Sequence, residues 1–188
     1  MIWACPVCKA PLLKTARTWR CEQGHCFDCA KEGYVNLLLA NQKRSSDPGD
    51  TKEMMVNRRA FLDAGFYQPL SDALNVVLAD LKPTSLLDSG CGEGYYLRRY
   101  VESDLHQTEV FGLDISKDAV RMASKSNSNM EFAVASSFHL PVLDQSLNVL
   151  LRVFAPGDLD EVARVLKPGG AFVLLVPGPQ HLFSLKQA

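Results

Sequence analysis

The residues best equipped for chemistry lie in the first 29 positions, which hold five of the chain's six cysteines and one of its four histidines. They form a C-x2-C pair followed by two candidate partner pairs: Cys5 with Cys8, then Cys21 with His25 or Cys26 with Cys29. Thiolates and imidazoles at these spacings are typical ligands of a tetrahedral zinc ion. The spacing leaves both quartets open, although Gly24 favours a tight turn that would carry a ligand. Either site would be structural, because four protein ligands leave no position for a reacting water.

The N-terminal stretch MIWACPVC contains no basic region followed by an apolar segment, so no secretory signal is predicted. No run of about 18 apolar residues is present, so no membrane span is predicted. We therefore expect a cytoplasmic protein, in which a reducing environment disfavours disulfides. No thioredoxin-like strand precedes either C-x2-C pair, which leaves metal binding as the favoured role of the cysteines.

A second site is predicted at the glycine-rich stretch LLDSGCGEGYY, which has the pattern of a strand, a sharp turn and the start of a helix. Glycines let the backbone approach a ligand closely, and the N–H groups at a helix start can bind a polar group. Twenty residues beyond Gly94, the next predicted strand ends at Asp114. A carboxylate there can accept hydrogen bonds from both hydroxyls of a ribose, so the two features predict a nucleoside-containing cofactor.

The glycine spacing distinguishes between cofactors. Gly90, Gly92 and Gly94 form G-x-G-x-G, with Glu93 inside the loop, whereas dinucleotide sites have G-x-G-x-x-G. Asp88 precedes the first glycine by two residues, and its charge would repel a pyrophosphate but suits the ammonium group of a methionine moiety. The pattern favours S-adenosylmethionine over NAD.

These sites need a framework that brings strand ends together. After Pro83, short apolar runs alternate with helical patterns: SLLD, EVFGLD, MEFAVA, LNVLLRV and AFVLLV are predicted strands, and GYYLRRYVES, KDAVRMASKS and DLDEVARVL are predicted helices. This alternation is typical of βαβ units and of a parallel sheet covered on both faces, so the predicted fold class is α/β. Two further helices are predicted from Glu53 and from Gln68, and no clear helix is predicted between MEFAVA and LNVLLRV.

Three segments are predicted along the chain: a zinc-binding head at residues 1–36, a polar linker at 37–52 and a cofactor-binding body at 53–188. Residues 1–60 hold ten basic and six acidic side chains, and residues 61–188 hold ten and fifteen, although the net charge of the chain is only −1. A head of about +4 on a body of about −5 is compatible with a polyanion docking on the head. The head aromatics Trp19, Phe27 and Tyr34 could stack on unpaired bases or pack a small core.

Two sets of motifs resemble known methyltransferases. DSGCGEG, GLDIS and LKPGG resemble the class I enzymes, whose sheet is Rossmann-like. CPVC, CEQGH, AKEGYVNLL, RSSDPGD and RRAFLDAG resemble the 23S rRNA (guanine-N1) methyltransferases of the RlmA type, and this likeness runs over essentially the whole chain. The resemblance implies methyl transfer from S-adenosylmethionine to N1 of a guanine in a 23S rRNA hairpin, of the guanine-745 type. It also implies a small zinc-ribbon-like head that helps to hold the RNA.

The resemblance further implies site residues. Of the two quartets it favours four Zn²⁺ ligands: Cys5, Cys8, Cys21 and His25. It places Tyr67 and His181 beside the cofactor. Many class I enzymes carry an acid after the third strand to bind adenine, and because serines stand there in this chain, Ser136 is the candidate. No general base is identified, since Asp158 near a strand end is more typical of a solvated carboxylate.

The class I fold normally continues beyond the strand AFVLLV, whereas this chain stops eleven residues past Pro177. That strand would be an exposed apolar edge, to be covered by a homodimer partner or by the missing strands of a longer form. Three functions stay open at this point: the rRNA methyltransferase, a methyltransferase acting on another substrate, and a non-catalytic RNA-binding fragment. Binding of an rRNA hairpin that weakens steeply with salt would favour the first and third over the second.

Overall fold

The computed structural model describes residues 1–42, 49–103 and 108–180. Within these ranges the strands are β1 (Leu13–Thr15), β2 (Thr18–Arg20), β3 (Cys26–Asp28), β4 (Val35–Asn36), β5 (Ser85–Ser89), β6 (Glu109–Asp114), β7 (Glu131–Val134), β8 (Leu147–Val153) and β9 (Leu166–Leu175). The helices are α1 (Lys52–Asp63), α2 (Gln68–Leu81), α3 (Tyr95–Ser103), α4 (Lys117–Ser126) and α5 (Leu159–Val165), with a 3-10 turn at Ala40–Gln42.

Six strands form one parallel sheet in the order β4-β7-β6-β5-β8-β9. The predicted α/β class and all five predicted strands of the body are confirmed. The order reverses around β5, whose neighbours β6 and β8 lie on either side. In open parallel sheets a ligand binds at such a reversal, beyond the carboxyl ends of the strands.

Successive residues of each strand pack on opposite faces of the sheet, as the pleat requires. On one face, Leu86, Val110 and Phe132 pack in a cluster with buried side chains from α2, α3 and α4. On the other face, Leu87 and Phe111 pack in a second cluster. A parallel sheet needs both faces covered, so each face must find partners of its own.

The second face is covered by α5 and by the N-terminal head. The head is a three-stranded antiparallel meander, β1-β2-β3, and it contributes Ile2, Trp3, Leu12 and Trp19 to the cluster on that face. Its first residues run beside the segment after β7: the Ala4 N–H donates to the Pro141 carbonyl at 2.9 Å. As predicted, residues 135–146 contain no helix. The head therefore lies where a doubly wound fold would place a crossover helix.

The predicted boundary at residue 36 falls inside the main sheet rather than between two bodies. β4 pairs in parallel with β7 through Val35 and Asn36, and the Leu37 N–H donates to the Val134 carbonyl at 2.9 Å. Leu37 and Leu38 are buried, so the first residues of the predicted linker belong to the core. The two-residue strand was missed because it is too short to show an alternating pattern.

The predicted edge strand β9 pairs with β8 and with no other strand that the structure describes. Its pairing begins at Leu166 opposite Leu147, breaks at the KPGG turn, and resumes at Ala171 opposite Val149. Leu174 at its far end is about half exposed. Among the described residues, no helix has the length and apolar character needed to span a membrane.

The shared core predicts that the head and the body unfold together. Trp3 is fully buried, meets the Phe111 ring edge-on at 5.8 Å between centroids, and donates its indole N–H to Glu131 at 3.1 Å. Trp3→Ala should lower the free energy of unfolding by about 3–5 kcal/mol, measured by urea denaturation with far-ultraviolet circular dichroism.

The control is Val7→Ala, because Val7 lies in the same head but is 55% exposed; it should change stability by less than about 0.5 kcal/mol. If Trp3→Ala released the head while leaving the transition of the helices unmoved, the head would be an independent domain.

Candidate functional site

The glycine loop follows β5 as a left-handed turn into α3. Gly90, Gly92 and Gly94 have φ values of 94°, 56° and 83°, a region that strongly favours glycine. At Gly90 a second requirement applies, because an added Cβ would lie 2.3 Å from the Cβ of Ala155. The loop is therefore pressed against the segment that follows β8.

Beneath this loop lies Asp88, the penultimate residue of β5. Its side chain is 1% exposed, and neither carboxylate oxygen receives a hydrogen bond from any residue that the structure describes. Burial, with a smaller contribution from the charge of Asp114, raises the pKa of Asp88 to about 8. A buried carboxylate without a partner favours a cationic ligand.

Asp114, at the end of β6, connects the glycine loop to the start of α4. Its two oxygens accept backbone N–H groups, one from Gly92 at 2.9 Å and one from Ser116 at 2.8 Å. Burial raises the pKa of Asp114, and these two hydrogen bonds oppose the shift. Each carboxylate oxygen keeps a free lone pair, so the side chain can still accept from a ligand hydroxyl.

A cavity of about 250 Å³ opens beside the loop. Four of the predicted cofactor residues line it: Tyr67, Gly90, Gly92 and Glu93. Asp88, Gly94, Asp114 and Ser136 are not among its lining residues. Ser136 is buried beyond β7, where its hydroxyl accepts the Phe138 N–H at 3.2 Å. His181 lies outside the described residues.

Helix α1 forms one wall of this cavity, which the sequence motifs did not predict. It contributes Arg58, Phe61 and Leu62 to the lining, and an ion pair between Arg59 Nε and Glu93 at 3.4 Å holds it to the glycine loop. Burial raises the pKa of Glu93, and the charge of Arg59 opposes that shift. The only sequence signal for this wall is the pair Arg58 and Arg59 within a helical pattern. Such a pattern does not indicate which neighbouring element the two charges contact.

Other lining residues missed by sequence reasoning come from the loop, from α3 and from the end of β8: Cys91, Tyr95, Tyr96, Val153 and Phe154. Asp158 is not among the residues that line this cavity; its carboxylate caps α5 by accepting the N–H groups of Asp160 at 2.7 Å and Glu161 at 3.1 Å. This placement gives the carboxylate a structural role at the start of the helix.

In the head, four potential metal ligands converge: Cys5, Cys8, Cys21 and His25, whose ligand atoms all lie within 4.8 Å of one another. His25 Nδ1 lies 3.6 Å from Cys5 Sγ and 3.3 Å from Cys21 Sγ, and Cys8 Sγ lies 3.7 Å from Cys21 Sγ. Zinc bonds of about 2.3 Å to sulfur and 2.1 Å to nitrogen place tetrahedral ligands about 3.6–3.8 Å apart. The cluster therefore has the size of a zinc site.

The other thiols of the head point elsewhere. Cys26 is exposed, and its thiol donates to the Gly24 carbonyl at 3.2 Å, while Cys29 is half-buried outside the cluster. Trp19 and Tyr34 are buried and Phe27 packs against the shared core. These aromatics thus pack the interior, the second of the two roles considered for them.

Two parts of the chain match models of known protein families. Residues 3–46 match the N-terminal zinc-ribbon model of RlmA, and residues 86–170 match a methyltransferase domain model. A 23S rRNA (guanine(748)-N(1))-methyltransferase of Streptomyces fradiae is 39% identical over 98% of this chain and 66% of its own length. A protein of Micromonospora griseorubida, named for 23S rRNA guanine-N(1) methylation, is 37% identical over 96% of this chain and 67% of its own.

The chain belongs to the 23S rRNA (guanine-N1) methyltransferase family. A third member, from Bacillus subtilis, is 31% identical over 99% of the chain and 68% of its own length. The chain thus spans about two thirds of the length of these family members.

Solved structures agree on the fold of this family member. A Pyrococcus horikoshii protein aligns with a TM-score of 0.51 at 26% identity, covering 69% of this chain and 59% of its own. A Methanococcus maripaludis protein, named for S-adenosyl-L-methionine-dependent methyl transfer, aligns with a TM-score of 0.58 at 17% identity, covering 69% and 66%. The predicted class I methyltransferase fold is confirmed.

The raised pKa of Asp88 predicts an unusual dependence of the free energy of unfolding on pH. Its pKa in the folded protein, about 8, exceeds its ordinary value of 3.8, so the unfolded state loses its proton first as pH rises. Stability should therefore fall between about pH 4 and pH 8 because of this residue. Asp88→Asn should be more stable than the wild type by about 2–4 kcal/mol at pH 7 and equal to it near pH 4.

Urea denaturation at several pH values measures this difference. Asp80→Asn is the matched control, because Asp80 is exposed on α2. A stability gain for Asp88→Asn that stayed constant from pH 4 to pH 9 would contradict the assignment of a buried, protonated carboxyl.

Proposed function

We propose that this protein transfers a methyl group from S-adenosylmethionine to N1 of a guanine in a 23S rRNA hairpin. The observation that carries the proposal is the buried carboxylate of Asp88 beneath a glycine loop, which receives no hydrogen bond from any described residue, in a chain that belongs to the rRNA methyltransferase family. Such a carboxylate calls for a cation at that position, and the α-ammonium of the cofactor supplies one.

The residues present fit this cofactor. Asp88 would pair with the ammonium group, the glycines from Gly90 to Gly94 would let the ligand approach the backbone closely, and Asp114 would accept from the ribose hydroxyls. Tyr67 and Glu93 line the adjoining cavity. Ser136, and His181 beyond the described residues, are further proposed contacts. When bound, the cofactor supplies an electrophilic methyl group, and the protein contributes chiefly orientation of the two reactants.

We propose a single zinc ion in the head, bound by Cys5, Cys8, Cys21 and His25. Burial would raise the pKa of Cys21, but hydrogen bonds from the backbone and the side chain of His25 and from Cys8 lower it to about 7. The thiolate form that a metal needs is thus favoured. With four protein ligands the ion would be structural and would hold the head in the form that covers the sheet.

The RNA is proposed to contact the outer surface of the head. Five basic side chains are exposed there: Lys9, Lys14, Arg17, Arg20 and Lys31. Lys14 also forms an ion pair with Glu131 at 3.8 Å, whereas no ion pair is formed by Lys9, Arg17 or Arg20 with the residues that the structure describes. Phosphate contacts of this kind give affinity without base specificity, and a cytoplasmic location follows from an rRNA substrate.

Methyl transfer is the direct test. Wild-type protein incubated with labelled S-adenosylmethionine and a 23S rRNA hairpin should yield N1-methylguanosine, identified by mass spectrometry of the nucleosides. Because an N1 methyl blocks base pairing, reverse transcription should stop at the modified nucleotide, which distinguishes guanine 745 from guanine 748.

Asp88→Asn should raise the Kd for S-adenosylmethionine about 10- to 100-fold, since a charge-assisted hydrogen bond is lost, while Asp80→Asn should leave it unchanged. Label found only in protein or in small molecules would overturn the proposed substrate. Binding of the hairpin without any methyl transfer would leave the chain as an RNA-binding module.

Metal content tests the zinc site separately. Cys8→Ser should abolish stoichiometric zinc, measured by mass spectrometry of the metal, and should lower the melting temperature, because zinc binding and folding of the head are coupled. Cys26→Ser should retain both the metal and the stability. Cys21→Ser should also lose the metal, and loss of zinc in Cys26→Ser with retention in Cys21→Ser would assign the ion to the other quartet.

A further inference from the structure

Four aromatic side chains form a continuous rim at the mouth of the cavity. Phe61 stacks on Phe66 with centroids 5.0 Å apart and planes 19° apart, and it meets Tyr67 edge-on at 5.6 Å. Tyr67 in turn meets Phe154 at 6.1 Å. Phe61, Phe66 and Phe154 are 47%, 69% and 43% exposed. This aromatic rim (Phe61, Phe66, Tyr67 and Phe154) is an apolar surface that the fold leaves open to solvent.

Phe154 has a backbone conformation that a bulky side chain rarely adopts. Its φ is 53°, in the left-handed region, which costs about 1 kcal/mol for a residue with a Cβ. An exposed phenylalanine contributes little to the core, so packing does not explain why this residue stands at a strained position. Strain of this kind is typical of functional positions.

The loop that carries Phe154 is fixed from several sides. The Phe154 N–H donates to the Leu175 carbonyl at 3.0 Å, and the Ser137 hydroxyl donates to the Pro156 carbonyl at 2.8 Å. The buried guanidinium of Arg152 donates to the Asp158 carbonyl at 3.4 Å and packs against Gly157, where an added Cβ would lie 2.4 Å from it.

The same loop touches the glycine loop at Ala155 and Gly90. The position of the Phe154 ring relative to the proposed methyl donor is therefore set by direct contact between the two loops. A base resting on this ring would lie at the opening of the donor cavity.

We infer that Phe154 is the platform on which the acceptor guanine stacks, and that Phe61 and Tyr67, the other two rim residues that line the cavity, contact that base and its unpaired neighbours. This inference rests on the proposed function. N1 lies on the base-pairing edge of guanine, so the base must be unpaired and unstacked before the methyl group can reach it. An exposed ring replaces the lost stacking, and such stacking contributes about 1–3 kcal/mol per base.

The test uses an RNA hairpin in which 2-aminopurine replaces the acceptor guanine, together with the natural hairpin for kinetics. Phe154→Leu removes the ring but keeps an apolar side chain, and Phe154→Tyr keeps the ring. Phe66→Leu is the matched control, because Phe66 lies at the outer end of the rim and does not line the cavity.

Wild type and Phe154→Tyr should quench the fluorescence of bound 2-aminopurine through stacking, and Phe154→Leu should leave it bright. Phe154→Leu should lower kcat/KM for the RNA about 5- to 100-fold, with a much smaller change in the Kd for S-adenosylmethionine. Phe154→Gly should lose the same activity without a fall in melting temperature, because glycine relieves the left-handed strain. A purely structural role for Phe154 would instead lower the melting temperature of these variants.

The outcomes separate the two proposals. If the wild type neither binds nor methylates the hairpin, the proposed function fails and this inference fails with it. If the wild type is active and Phe154→Leu matches Phe66→Leu in both fluorescence and kinetics, the inference is overturned while the proposed function stands.

Discussion

A parallel sheet can be stable only when both of its faces are covered. In this protein one face is covered largely by the N-terminal head, a meander that also carries the cluster of metal ligands. Trp3 and Leu12 take the place of a crossover helix beside β6 and β7. The head is too small to bury a core of its own, and the sheet would expose Phe111 without it. Each half therefore depends on the other, so metal binding in the head would stabilise the sheet that carries the glycine loop.

The proposed cofactor site is built from groups that are unfavourable until a ligand binds. Asp88 is buried and receives no hydrogen bond from the described part of the chain, and three alternate loop residues, all glycines, hold left-handed conformations. These features lower stability and become favourable when a cation and a nucleoside are supplied, which is the usual relation between stability and binding at a preorganised site. The contact between Gly90 and Ala155 extends this preorganisation from the donor to the side where an acceptor would rest.

Much of the fold and part of the site could be predicted from local patterns. Patterns of a few residues predict the strands of the body, the glycine turn and the role of Asp114. The C-x2-C spacing of Cys5 and Cys8 likewise predicts two of the four ligands of a metal site. What could not be predicted depends on contacts between distant segments. Three features have no local signature: the short strand β4, the docking of the head and the cavity wall formed by α1. An apolar pattern predicts that a segment is buried, but it does not indicate which other segment it packs against. Phe154 was missed because one aromatic residue after a strand has no distinctive pattern.

The docking of the head also has a consequence for biosynthesis. Trp3 and Glu131 are hydrogen-bonded across 128 positions of sequence, so the ribosome must translate for on the order of ten seconds between the two. Throughout that interval the apolar side chains of the nascent head cannot pack against the completed sheet. The head is synthesised before the strands that it covers, so it reaches its final environment late, and a chaperone at the exit tunnel would meet it before those strands.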